Sequence, residues 1–328
     1  MIHLTERGIR DQYEFDYNAS LANQPWRKLC RVITTDDPNG ETTVRTAGLR
    51  GMEERSGMPN FAQSVPTAPF KWYTRRFTDG FQVTEDEWKY QKVDEVAAKI
   101  AQLAALAAAH PWILLETQAA AMLDDVGVGA IKDPFYPTLD FIGTKHVVNK
   151  PGSQLSTTSN YFTKDTVSGL QWASATPTET EWLATLFGVA AAIRATKGDN
   201  DITMYATVQE FLVLLPSPRW ASFAIMMSKL VNAAGTNPLN TAGAPIRFSY
   251  EMLPSSSSTT QLLFVPVGKQ PFAMQILQQP DKSNMTILGP DSEHYKKEKY
   301  APVWIEGRYN VTHMAWEGIF GALIDTAP

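Results

Sequence analysis

TEDEWKYQKVDEVAAKIAQLAALAAAHPWILLETQAAAMLDD, residues Thr84 to Asp125, is the longest periodic stretch of the chain, and the fold is read outward from it. Thr84 with Glu87 three residues on is a capping-box pair, and Glu85 and Asp86 add negative charge where the helix dipole favours it. The spacing therefore predicts a helix start at Thr84. Val93, Val96, Ala97, Ile100, Leu103, Ala104 and Ala107 recur at three- and four-residue intervals, while Lys89, Lys92, Glu95 and Lys99 lie mostly on the other side. One face is buried and one is wet. Pro111 has no amide hydrogen and disfavours helix at His110, which predicts a kink or break there before the helix resumes through Glu116 to Leu123. At ~1.5 Å per residue the part up to Ala109 spans roughly 40 Å, longer than an ordinary globular helix, and suggests a plate-like subunit.

The 328 residues, 44% hydrophobic, suffice for one large domain or two smaller ones with a sizeable core. A net charge of -5 argues against affinity for a nucleic-acid backbone or an anionic membrane. Cys30 is the only cysteine, which excludes an intramolecular disulfide and a cysteine-based zinc finger, and it reads as a small apolar residue. The start, MIHLTERGIRDQYEFDY, lacks a basic-then-apolar signal pattern, and no stretch is expected to reach the ~18 apolar residues of a membrane span.

Upstream of the helix, residues Met1 to Arg45 scatter Tyr13, Phe15, Tyr17 and Trp26 among polar residues, with Asp37-Pro38-Asn39-Gly40 as a turn. No long amphipathic repeat stands out, so the segment reads as an arm whose aromatics dock singly on a neighbouring surface; the alternative is a short helix and hairpin inside the same core. From Thr46 to Asp79, Gly48, Gly51, Gly57, Pro59, Pro66 and Pro69 forbid a long helix and leave two extended limbs. The charges there, Arg50, Glu53, Glu54, Arg55, Lys71, Arg75 and Arg76, nearly balance, which suits pairing with a like subunit better than binding a polyanion. A solvated hairpin is the bland alternative. Phe81-Gln82-Val83 then reads as a brief strand.

After Asp125, glycine, proline, serine and threonine mark loop and hairpin up to Asn160. His146 has no second His or Cys at ligand spacing and reads as a loop histidine with a structural hydrogen bond. Thr176-Pro177-Thr178-Glu179 predicts a capped helix with Trp182, Leu186, Ala190 and Ile193 on its apolar face. Strands are expected at Ile202–Thr207, Phe211–Leu215, Ile246–Met252, Leu262–Val267 and Phe272–Leu277, a helix from Ser217 through Leu230, and a closing strand with Ile305, Tyr309, Val311 and His313 in alternation. The serine and threonine run Ser255 to Thr260 reads as an exposed turn, and Asp124 and Asp125 as two solvent-facing neighbours. No G-x-S-x-G elbow, S-x-x-K, Cys–His pairing or paired-carboxylate signature is found, so no catalytic, cofactor-binding or metal residue is assigned.

Three stretches carry a resemblance. DFIGTKHVVNKPGSQLSTTSN, Asp140 to Asn160, resembles the pattern of an Asp-Gly, a Leu-Phe and a His before a Gly-rich turn and Ser-Asn in the major head subunits of Mu-like phages, with Thr144-Lys145 standing where that pattern has Leu-Phe. ATVQEFLVLLPSPRWASFAIMMSK, Ala206 to Lys229, is similar to their strand running into proline and helix. GRYNVTHMAWEGIFGA, Gly307 to Ala322, resembles their closing strand. The order of parts is similar to the tailed-phage major capsid fold of the Hong Kong 97 type.

That resemblance implies an α+β fold with an N-terminal arm (1–45), an extended loop (46–83), a peripheral domain with a spine helix (84–150), an axial domain (151–265) and a return to the peripheral domain with a C-terminal strand (266–328). It implies a structural shell protein, not an enzyme, forming hexamers and pentamers of an icosahedral head around double-stranded DNA without sequence-specific contact. Portal, scaffold and decoration proteins are candidate partners, a membrane is not, and the location is the virion after assembly in the host cytoplasm. Arg50, Glu53, Glu54, Arg55, Arg75 and Arg76 are the candidate inter-subunit contacts. An encapsulin-like cargo shell is the nearest competitor; a hydrolase with its pocket in residues 151–328 is the competitor from another class.

Overall fold

The computed structural model describes residues 4–37, 42–43, 70–150, 154–198, 203–229 and 246–326. The chain forms two units, one from Met1–Glu41, Lys71–Leu115 and Phe272–Thr312, the other from Thr42–Phe70, Glu116–Pro271 and His313–Pro328.

The first unit is centred on the strand Tyr300–His313, whose Ala301, Val303, Ile305, Tyr309 and Val311 are buried in alternation with partly exposed residues. The strand Arg75–Thr84 runs antiparallel along it, in register from Tyr300 opposite Thr84 to Tyr309 opposite Arg75. It is much longer than the brief strand expected at Phe81–Val83. Met285–Ile287 also pairs antiparallel with the central strand, and the parallel pair Cys30–Thr34 and Phe272–Gln278 completes this sheet. Gly80 is required where the two long strands cross: a Cβ there would lie 2.4 Å from the Val303 carbonyl oxygen.

Residues Glu6–Ala22 form a helix capped by Thr5, which corrects the expectation of aromatics docking one by one. Tyr13 and Tyr17 are four residues apart, share a helical face with Ile9, and pack into one core with Val96, Ile100, Leu103, Val303 and Ile305. The tyrosine hydroxyl of Tyr13 donates to the Pro280 carbonyl at 2.6 Å. The face was hidden from the sequence because its polar spacers and phenolic groups dilute the apolar pattern.

The Thr84–Glu87 capping box is present, but it heads only the short helix Glu85–Lys89. Gln91, at φ 49°, ends that turn, and the long helix Val93–Asp125 begins where the apolar periodicity itself begins. Pro111 sits inside this helix without breaking it. The proline withholds one bond, to the Ala107 carbonyl, while buried Ala108 and Leu115 hold the turns on either side. By length and composition alone this helix could cross a membrane, which corrects the expectation of no such stretch; a buried core helix meets the same criterion. Its apolar residues Val96, Ile100 and Leu103 belong to the first unit's core.

The second unit holds a five-stranded sheet ordered Arg247–Leu253, Glu210–Pro216, Gln261–Pro266, Phe320–Leu323 and Tyr161–Phe162. The first pair is parallel and the next two antiparallel. Helices Glu179–Ala195 and Ser217–Lys229 cover it, with Trp182, Leu186, Ile193 and Phe223 against Phe211, Val213, Phe248 and Phe264. The first of these helices is capped by Thr178 and Glu181, two residues later than expected, so Pro177 precedes the cap. Described residues 203–207 make a single bridge, Thr203 to Lys197, instead of a strand, while Tyr205 is drawn into the core. Residue 230, the expected end of the second helix, lies outside the described residues.

Candidate functional site

Of the candidate contact residues, Arg50, Glu53, Glu54 and Arg55 lie outside the described residues. Arg75 and Arg76 begin the outer strand Arg75–Thr84, where only Val83 is buried. The Arg76 guanidinium pairs across the ladder with Glu306, and its hydrogen bond holds that carboxyl below the usual range. Arg75 is exposed, and among the described residues no ion pair is found for it. Among the described residues the one pairing partner of Arg75–Thr84 is the strand Tyr300–His313, and the backbone groups of an edge strand are of the kind that can pair with a further strand.

Beside that strand, within the first unit, Phe77, Leu106, His110, Ile113, Pro280 and Tyr309 line a cavity of about 240 Å³. His110 Nδ1 lies 2.7 Å from the Tyr309 hydroxyl, and its ring is 4.4 Å from that of Phe77. Burial holds His110 below the ordinary histidine range, opposed by Asp79. The cavity is apolar with a neutral imidazole, and the residues lining it include neither a nucleophile activated by a base nor a carboxylate pair.

The second unit contains a buried polar cluster. Asn160 is fully buried: its Oδ1 accepts from the Gly143 amide and His146 Nε2, both at 2.8 Å. Its Nδ2 donates to the carbonyls of Phe141 at 3.0 Å, Ile319 at 3.0 Å and Trp316 at 3.2 Å. One amide thus ties residues 141–146 to 316–319. His146 stacks on Trp316 at 4.1 Å, and Asp133 Oδ2 stands 3.7 Å from its Nδ1. His146 is therefore the hydrogen-bonded structural residue its isolation in the sequence suggests. His313 likewise packs, with Phe141 at 4.6 Å and the Lys132 carbonyl at 3.2 Å from Nε2. Burial lowers its pKa, against the opposing effects of the Lys132 carbonyl and Asp133.

Two sequence expectations are corrected here. Asp125 is buried, not solvent-facing, because its carboxylate accepts from the amides of Ala130 at 2.6 Å and Ile131 at 2.8 Å and so closes the chain beyond the helix. The serine run is not simply an exposed turn: Glu116 accepts from the Ser255 amide and hydroxyl at 2.8 and 2.7 Å, and Asp124 from the Ser256 hydroxyl at 2.6 Å. Helix carboxylates hold the turn. Nothing local in the sequence marks Glu116 or Asn160 for these roles, since Ser255 lies 139 residues from Glu116 and Ile319 lies 159 residues from Asn160. Among the described residues no group of three or more His, Cys, Asp or Glu side chains is arranged to hold a metal ion.

No family model matches the chain, and no curated protein matches it. Solved structures do. The procapsid of bacteriophage JBD30 matches at 13% identity and TM-score 0.50, over 98% of this chain and 75% of that one. The mature capsid of bacteriophage PhiM1 matches at 12% identity and TM-score 0.50, covering 93% of this chain and 88% of that one. The capsid of cyanophage P-SCSP1u gives 9% identity and TM-score 0.50, with 93% and 89% covered.

The chain has the Hong Kong 97-type phage capsid fold.

Within this fold the Asn160 cluster is an internal tie, and the strand Arg75–Thr84 is exposed or half-buried except at Val83. At 9–13% identity the likeness is one of fold, so the individual contact residues rest on their own chemistry.

Proposed function

We propose that this chain is the shell-forming subunit of a phage head, assembling into hexamers and pentamers around packaged double-stranded DNA without reading its sequence. The observation that carries the reading is the likeness of nearly the whole chain to a bacteriophage procapsid at TM-score 0.50. Its location is then the virion, after assembly in the host cytoplasm. An encapsulin-like cargo shell is not favoured, since the neighbours at TM-score 0.50 are phage capsids and a procapsid. Closeness to Mu-like heads rests on the three resembling stretches.

The proposed contacts between copies are Arg50, Glu53, Glu54, Arg55, Arg75 and Arg76. Closed shells require self-complementary surfaces, and permanent interfaces are large. Arg75, exposed at a strand edge, is suited to such pairing. Negative-stain electron microscopy and velocity sedimentation of the purified full chain test the proposal: shells or capsomers are expected, and a strictly monomeric species under all assembly conditions overturns it.

A further inference from the structure

The strand Arg75–Thr84 carries Phe77, Phe81 and Val83 on one face, and by strand alternation Asp79 belongs to the same face. Phe81 and Val83 pack into the core that contains Ile305, and Asp79 stands directly opposite Ile305 in the ladder. A carboxylate therefore interrupts an apolar row. Its Oδ1 accepts from the Gly80 amide at 2.8 Å. Arg76 is taken by Glu306, and Lys99 by Glu87 and the Gln82 carbonyl; among the described residues no ion pair is found for Asp79.

This carboxylate lies at the exposed mouth of the cavity of about 240 Å³, whose deeper wall is formed by Ile305 and Tyr309, 2% and 3% exposed. No Lys or Arg lines the cavity, and burial favours the neutral form of its one imidazole, His110. The rings of Phe77, His110 and Tyr309 stand 4.4 to 5.7 Å apart and supply aromatic surface, whose faces attract cations. A dry cavity of roughly 150 Å³ holds one benzene ring, so this one admits a ring with a short arm, while it falls below the ~300 Å³ of pockets for larger ligands. An apolar floor, aromatic walls and an uncompensated negative charge at the mouth are complementary to a cation with an apolar body. We propose that this cavity binds a small arylalkylammonium ion, its ring against Phe77 and Tyr309 and its ammonium group at the Asp79 carboxylate. The site lies wholly within the first unit and does not depend on the shell-forming role.

Isothermal titration of the purified full chain with phenethylammonium chloride tests this, with phenylpropionate as a ligand of the same ring and opposite charge. Phenethylammonium is expected to saturate one site per chain and to bind more tightly than phenylpropionate. Asp79→Asn can keep the Gly80 amide through its Oδ1, so its thermal midpoint should match the wild type while its affinity for phenethylammonium falls by about fivefold. Asp79→Lys should reverse the preference in favour of phenylpropionate. No saturation by about 10 mM phenethylammonium, equal binding of the two ions by the wild type, or undiminished binding in Asp79→Asn overturns the proposal and leaves Asp79 as an inward-facing charge that guards the sheet edge.

Discussion

Replacing Asn160 by alanine should be among the most damaging single substitutions in the second unit. The side chain is fully buried and joins five backbone or side-chain partners across two distant stretches. Alanine leaves two buried donors, the Gly143 amide and His146 Nε2, without an acceptor, at about 1–3 kcal/mol each. The three carbonyls are less costly, since the Trp316 carbonyl still accepts from the Ile319 amide at 3.2 Å. Adding roughly 1 kcal/mol for them gives a loss of about 3–7 kcal/mol, a large part of the ~5–15 kcal/mol stability of a typical protein. Guanidinium denaturation followed by far-ultraviolet circular dichroism measures it, with Asn160→Asp as a control. The aspartate keeps the acceptor but sets a carboxylate against three carbonyl oxygens, so it should be destabilised at least as much. A midpoint shift worth less than about 1 kcal/mol for alanine, or a tolerated aspartate, would refute the assignment of this amide as the central tie.

Gly80→Ala should destabilise the first unit by about 1–3 kcal/mol, read from thermal unfolding, because its methyl meets the backbone of Val303 and Trp304 rather than a movable side chain. Glu87 is pushed up by burial, but hydrogen bonds from Lys99 and Thr84 outweigh this and its carboxyl is lowered overall; its stabilising effect should hold above the ordinary carboxylate range and vanish as pH falls through its own lower value. Glu87→Gln should flatten that acid limb in pH-dependent unfolding. Burial lowers His110, so the unfolded chain binds a proton there first, and stability should drop as pH falls below about 6.5. His110→Gln should remove part of that drop. Arg75→Glu should leave the unfolding midpoint within about 0.5 kcal/mol while reducing the yield of shells in electron micrographs.

The parts legible in the sequence were those with a local physical signature. Apolar runs such as Phe211–Leu215 sit in the observed strand Glu210–Pro216, and the alternation of Ile305, Tyr309 and Val311 marks the central strand of the first unit. The order of parts also carried the fold. What escaped was of two kinds. Boundaries depended on competing local signals: Thr84 begins a helix, yet the left-handed residue Gln91 ends it before the main one starts. Polar ties depended on chain return, and nothing near Asn160 or Glu116 announces a partner in 316–319 or at Ser255. Asp125 escaped for a related reason, since adjacent acidic residues normally face water, and only the chain's turn back over the helix end supplies its two amides.

These ties have a common placement. The first unit draws on three separated segments and so does the second, so each core is completed only when remote stretches return to it. Apolar burial is non-directional and would tolerate a slipped return, whereas a buried amide or carboxylate with all its partners present admits one register. Asn160 fixes 316–319, Glu116 fixes Ser255, and Tyr13 fixes Pro280, each by hydrogen bonds spanning more than a hundred residues of chain. The proposed shell role would need this property in particular. Under that proposal copies would have to offer the same edge in the same register, and a slip in the central strand Tyr300–His313 would shift every residue of the paired strand Arg75–Thr84.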